Sequence, residues 1–254
     1  MENQGQYTKY MIGRNFVKST SYEYINTGRR RQTAEPKQPQ AMTAQELDIA
    51  YQYRQRAKRE KLIQLADVNF DAGNSIFVTL TFRENLTDYE EAVSAFKGFT
   101  KQLRRKITNL RYIATLECQH RGAFHFHLLV NMDMQIGLDI LLPCWHNGIV
   151  DIQPVKEVKK TICYMTKDLQ LQNRSHALFN KRCYFLSQEL VSCKEVTTWN
   201  GTKEELAYIQ KLLSNRAADK RSSVNTTRAG QTEYQDYYFQ TGHFSAPVAA
   251  TKKT

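Results

Sequence analysis

Residues 111–131, RYIATLECQHRGAFHFHLLVN, hold two alternating apolar runs on either side of a short polar turn. No other stretch constrains the fold as tightly. Side chains alternate along a strand with period two. His125 and His127 therefore share one face of the second run, and Phe124, Phe126 and Leu128 share the other. QHRG at 119–122 reads as the turn of a hairpin, and pairing the two strands about it sets Glu117 opposite His125. An isolated hairpin is only marginally stable in water, so flanking elements must cover its greasy face.

The flanks supply them. IFVTLTF (76–82) alternates as a strand, with Phe77, Thr79 and Thr81 on one side and Ile76, Val78, Leu80 and Phe82 on the other. Thr43 with Glu46 makes a capping box that opens a helix to about residue 68, and Thr87 with Glu90 a second that opens a helix to about residue 107. The second helix carries Ala92, Phe96, Phe99, Leu103 and Ile107 on one stripe and a basic set on the other. A short helix at about 137–145 is stopped by Gly148, and IVDIQPV (149–155) reads as a strand. A basic helix follows over about 156–171, with Val155, Val158, Ile162, Met165 and Leu169 as its buried stripe. The order β-α-β-β-α-β-α predicts an α+β fold. It has one antiparallel sheet of about five strands, with helices on one face and the active site on the other.

We divide the 254 residues into three parts. Residues 1–42, Gln-rich and broken by RRR (29–31) and EPKQPQ (35–40), read as a flexible arm; 43–190 hold the sheet. Residues 191–254 carry a weakly marked end: a capped helix from Thr202-x-x-Glu205, a polar stretch, an aromatic strand EYQDYYF (233–239) and a polar tail. A formal net charge of +11 points to a polyanionic partner, nucleic acid first. No apolar run reaches the roughly 20 residues of a membrane span. The first residues lack a secretory pattern, and five scattered cysteines fit a reducing compartment, so a cytoplasmic protein is expected.

Glu117, His125 and His127 together offer one carboxylate and two imidazoles, a donor set that suits Mn²⁺, Mg²⁺, Zn²⁺ or non-haem iron. The plainer alternative is a pair of half-buried histidines with Glu117 as hydrogen-bond partner. The hairpin glutamate and the basic helix nearby favour the metal. A zinc site through Cys118 and His120 would need residues from the turn and the opposite face. A cupin-type iron site lacks a glutamate shortly after HFH. On the last helix, Tyr164 lies off the buried stripe, on the face of Lys160 and Lys167, where ammonium groups lower the cost of a phenolate. It is a candidate nucleophile.

FVTLTF, then TLECQHRGAFHFHLLV, then YMTK resemble the three ordered motifs of HUH-type rolling-circle replication initiators. The resemblance is greatest to the single-tyrosine initiators of bacterial plasmids, integrative elements and phages, and it covers about 76–170. It implies that His125 and His127 bind a divalent metal, Mn²⁺ or Mg²⁺, with Glu117 as the acidic ligand. It implies further that Tyr164 attacks a DNA phosphodiester, leaving a 5′-phosphotyrosine, and that Lys167 holds charge beside it. Thr79 and Thr81 belong to the first motif. The implied partner is single-stranded DNA at a replication origin. Lys97, Lys101, Arg104, Arg105, Lys156 and Lys160 are candidate phosphate contacts.

No G-x-x-x-x-G-K-[ST] loop occurs, so a host or element-encoded helicase would do the unwinding. Asp168 follows Y-x-x-K where relatives often carry an aromatic residue, and it occupies the place of a second tyrosine; an activating role for its carboxylate at termination is a further expectation. Relaxases and HUH transposases are rivals within the fold, although relaxases place the tyrosine before the histidines. A non-catalytic RNA-binding module of β-α-β-β-α-β type is the rival from another class.

Overall fold

The computed structural model describes residues 7–23, 43–119, 122–170, 177–226 and 229–239. RRR (29–31), EPKQPQ (35–40) and His120 lie outside the described residues. The chain forms two compact units, Met42–Val191 and Met1–Ala41 with Ser192–Thr254. The architecture is α+β, with two five-stranded antiparallel sheets and five α-helices among the described residues.

Met42–Val191 contains α1 (Ala44–Asn69), β3 (Ile76–Phe82), α2 (Tyr89–Lys106), β4 (Tyr112–Cys118), β5 (Phe124–Val130), α3 (Met134–Leu141), β6 (Gly148–Pro154), α4 (Val158–Met165) and β7 (Tyr184–Leu186). β1 (Tyr7–Ile12) and β2 (Phe16–Tyr22) precede them. The sheet order is β6-β3-β5-β4-β7. The register places Glu117 opposite His125, as the turn requires, and Thr79 and Thr81 opposite His127 and His125. Gly122 takes φ 86° in the hairpin turn, a conformation that costs glycine nothing. Gly148 opens β6 rather than ending α3: a Cβ there would stand 2.1 Å from the Thr81 carbonyl oxygen, so only glycine lets β6 meet β3.

The core of this unit sits on the sheet face away from the histidines. The Phe96 ring of α2 stacks on Phe126 with centroids 4.3 Å apart, and Phe82, Phe99 and Trp145 close round them. The side chains of Leu80, Phe126 and Leu128 are fully buried there. α1 opens on the expected Thr43–Glu46 capping box. α2 starts one residue later than the Thr87–Glu90 pattern suggests. Asp88 is its N-cap, with Oδ1 accepting from the Glu91 N–H at 2.7 Å, and its carboxylate also faces the positive end of the helix.

α4 is shorter than the 156–171 pattern implied. Thr166 Oγ1 donates to the Ile162 carbonyl at 2.6 Å, and the backbone at Thr166 leaves the α region before a 3₁₀ turn at Asp168–Gln170. A hydroxyl competing for the helix carbonyls bends or ends a helix in this way.

The other unit corrects the expectation of a flexible arm. Residues 7–22 supply β1 and β2, which join β8 (Lys194–Thr197), β9 (Lys220–Thr226) and β10 (Gly230–Tyr238) in the order β8-β1-β2-β10-β9. The polar stretch after the capped helix α5 (Lys203–Leu213) contains β9. α5 packs Ile209 against Ile12, Val17, Val196, Tyr237 and Phe239 on one face of the sheet. The strands of the former arm were missed because β1 and β2 are rich in Tyr, Ser, Thr and Lys and show little apolar alternation, the signal by which strands are read.

Candidate active site

The site is built on the histidine face of β3, β4 and β5. Alternation places Phe77, Thr79 and Thr81 of β3, Thr115 and Glu117 of β4, and His125 and His127 of β5 on that face. Both imidazoles are buried, with His125 8% and His127 7% exposed. Each turns Nδ1 towards β3: His127 Nδ1 lies 3.2 Å from Thr79 Oγ1, and His125 Nδ1 lies 3.5 Å from Thr81 Oγ1 and 3.2 Å from the Gln119 amide. A hydroxyl or amide on one ring nitrogen selects the tautomer that leaves the other nitrogen as a donor to a metal. Nε2 is therefore the nitrogen each ring would offer to a cation.

His127 Nε2 meets Glu117 Oε2 at 2.5 Å. The hydrogen bond from His127 is the main reason the Glu117 carboxyl is held down to about 2, against the opposing effect of burial; a hydrogen bond with Asp168 and the Lys167 ammonium act in the same direction. Among the described residues, no group of three His, Cys, Asp or Glu side chains is already gathered at metal-holding spacing. The donor chemistry still fits a divalent cation. One carboxylate held ionised stands beside two imidazoles, both oriented through Nδ1, and binding would exchange the Glu117–His127 contact for coordination.

α4 stands over the same face. The Tyr164 ring is edge-on to His127 with centroids 5.9 Å apart and edge-on to Phe77 at 6.0 Å, and the residue remains 49% exposed. Phe77 itself stacks on His127 at 5.6 Å and 16°. Phe77 thus wedges the imidazole on one side and the tyrosine on the other. Its place on the site face was legible from alternation; its contact with Tyr164 depends on where α4 packs.

The break at Thr166 matters for Lys167. Its N–H donates to the Tyr164 carbonyl at 3.1 Å. The side chain lies over the Tyr164 ring, Nζ 4.5 Å from the centroid, and reaches Glu117 Oε1 at 3.6 Å. Burial works against its charge, yet Glu117, Tyr164 and Asp168 raise its pKa above the ordinary lysine value. Lys167 is thus a fixed cation between the carboxylate and the phenol.

The expected basic residues divide. Lys97, Lys101, Arg104 and Arg105 are exposed on α2, which packs through Phe96 against the sheet face opposite the histidines, so the structure does not bring them to the site. Lys156 and Lys160 are exposed beside α4, and Lys160 pairs with Glu157 at 2.7 Å. Sequence reasoning missed Gln119 and the contact between Asp168 and Glu117. Gln119 was assigned to the turn only, and the Asp168 contact depends on the chain tightening after Thr166.

Residues 75–172 match the family model of the replication-associated protein ORF2, and this segment contains Glu117, His125, His127, Tyr164 and Lys167. No curated protein and no solved structure matches the chain.

Proposed function

Over that segment the chain belongs to a replication-associated protein family. We propose that it is a rolling-circle replication initiator that nicks and rejoins single-stranded origin DNA through a covalent 5′-phosphotyrosine at Tyr164. One observation carries the reading. An exposed tyrosine stands edge-on to one histidine of an H-x-H strand, under a lysine that also reaches the glutamate of the neighbouring strand.

In the proposed step the Tyr164 oxygen forms a bond to phosphorus as the bond from phosphorus to the 3′ oxygen breaks. The phenol loses a proton and the departing 3′ oxygen gains one. The energy of the phosphodiester is kept in the protein–DNA link, so the same step in reverse reseals a strand. Lys167, charged and 4.5 Å from the ring, lowers the cost of the phenolate and offers charge to a phosphate oxygen. Phe77 and His127 limit the swing of the ring, which favours in-line approach.

Glu117, His125 and His127 would hold the divalent cation, Mn²⁺ or Mg²⁺, which supplies polarisation of the scissile phosphate. Thr79 and Thr81 orient the imidazoles. Lys156 and Lys160 are the basic residues best placed to meet DNA near α4. The α2 set, Lys97, Lys101, Arg104 and Arg105, attracts DNA through the longer-range field. A separate helicase opens the duplex in this scheme.

The test uses a randomised single-stranded DNA pool with Mn²⁺ or EDTA, followed by denaturation in SDS. An adduct that survives SDS, needs the metal and vanishes in Tyr164→Phe is the expected result. Salt-sensitive binding without any adduct, on single strands and on supercoiled duplex alike, would replace this reading with a non-catalytic binding module.

A further inference from the structure

The second sheet has two unlike faces. α5 covers the face of Ile12, Val17 and Tyr237. By register, the opposite face carries Tyr7 on β1, Tyr22 on β2 and Tyr234 on β10. Tyr7 and Tyr22 are direct cross-strand partners with ring centroids 5.5 Å apart. Trp199, in the turn after β8, adds a fourth ring, edge-on to Tyr7 at 5.4 Å. Strand propensity accounts for tyrosines in β1, β2 and β10. It does not account for Trp199, which lies outside any strand and is 66% exposed, next to a row that ends in Tyr234 at 41%.

Lys9, Lys18 and Lys220 share this face. Lys9 pairs with Glu195 at 2.6 Å and Lys18 with Asp236 at 3.6 Å, while Lys220 lies 5.9 Å from the Tyr238 ring. Three lysines against two carboxylates leave the face positive, in a chain of net charge +11. Lysine is depleted where proteins meet one another, and rings interleaved with lysines suit a partner that has flat apolar faces and a negative backbone.

We propose that this face is a second nucleic-acid surface, on which single-stranded DNA stacks its bases on Trp199, Tyr7, Tyr22 and Tyr234. Each base has a π face, so such a row holds a strand with little regard to sequence. The binding does not depend on chemistry at Tyr164; the choice of DNA over RNA rests on the replication reading.

The chain has two tryptophans, and Trp145 is only 3% exposed, so a quencher added from solution reports chiefly on Trp199. The full-length protein carrying Tyr164→Phe, which cannot form an adduct, is titrated with an oligothymidylate of about twenty nucleotides and with an abasic strand of equal phosphate number. Expected are quenching by the oligothymidylate that disappears in Trp199→Phe, weak binding of the abasic strand, and a loss of roughly five- to a hundredfold in affinity in Trp199→Ala and in Tyr234→Ala. The quenching needs no folded variant.

Unchanged emission, or equal binding of both strands, overturns the proposal. So does a fall in self-association of Trp199→Ala by sedimentation with DNA binding intact, which would make the face a contact between copies of the chain. The SDS adduct assay on the unmodified protein reports separately on the nicking reading.

Discussion

Both units contain a five-stranded antiparallel sheet, yet their interiors and their wiring differ. The histidine sheet takes its strands from one continuous run, β3 to β7, and joins β4 to β5 by a tight turn. Behind it the stacked Phe96–Phe126 pair, Phe99, Trp145 and Phe185 form a dense aromatic core. The second sheet is assembled from both ends of the chain, and Glu23 meets Gln231 across 208 residues of sequence. Its core is Ile12, Val17, Val196, Ile209, Tyr237 and Phe239. The comparison teaches where rigidity is placed. The face that must hold imidazoles and a tyrosine within ångströms rests on the larger core and the more local pairings. The sheet with less apolar burial bears exposed rings, whose proposed task tolerates looser geometry.

Substitution in each core should break the molecule at different places. Phe126→Ala is expected to cost about 3–5 kcal/mol, because it removes a fully buried ring and leaves a cavity under Phe96. Val17→Ala, in the second sheet, should cost about 2 kcal/mol. Hydrogen exchange read separately in β5 and β2 checks both. Equal loss of protection in the two sheets from either change would contradict the contrast between them.

The orienting hydroxyls offer a sharper probe of the first sheet. Thr79→Val keeps the shape but loses the contact to His127 Nδ1. We expect Mn²⁺ affinity, measured by calorimetry, to fall about 10- to 100-fold with the fold intact. A change of less than twofold would reduce Thr79 to a packing residue.

The helix caps give the next smaller effect. Thr202 Oγ1 accepts from the Glu205 N–H at 3.2 Å, and the Glu205 carboxylate accepts from the Thr202 N–H at 2.9 Å. Thr202→Ala should lower the stability of the second unit by about 1 kcal/mol in denaturant unfolding.

The smallest expected change is a slope in pH. Glu117 is held below its ordinary value in the folded protein, so it stabilises the fold fully above about 4.5 and loses that contribution as pH falls towards 2. Glu117→Gln should flatten stability against pH across that window, and an unaltered slope would show that the pair with His127 adds nothing to folding.

Much of the first sheet was legible because its residues obey simple periods. Two histidines two apart, a threonine pair in the same phase and a turn at 119–122 suffice to bring Glu117, His125 and His127 to one face, and the register agrees. Tyr164 and Lys167 were legible as one face of a helix, though α4 ends between them. β9, KRSSVNT, was not legible: each of its side chains with a described burial is exposed, so no apolar rhythm marks it.

The chain order, the helix caps at Thr43 and Thr202, and the faces of β3, β4 and β5 follow from the sequence alone. They depend on periodicity and on neighbours a few residues away. The capture of residues 7–22 into a second sheet, the Phe77 wedge between His127 and Tyr164, and the Lys167 bridge to Glu117 were decided by tertiary structure. Each joins groups whose separation in sequence carries no local signal, and only the packing of whole elements brings them within reach.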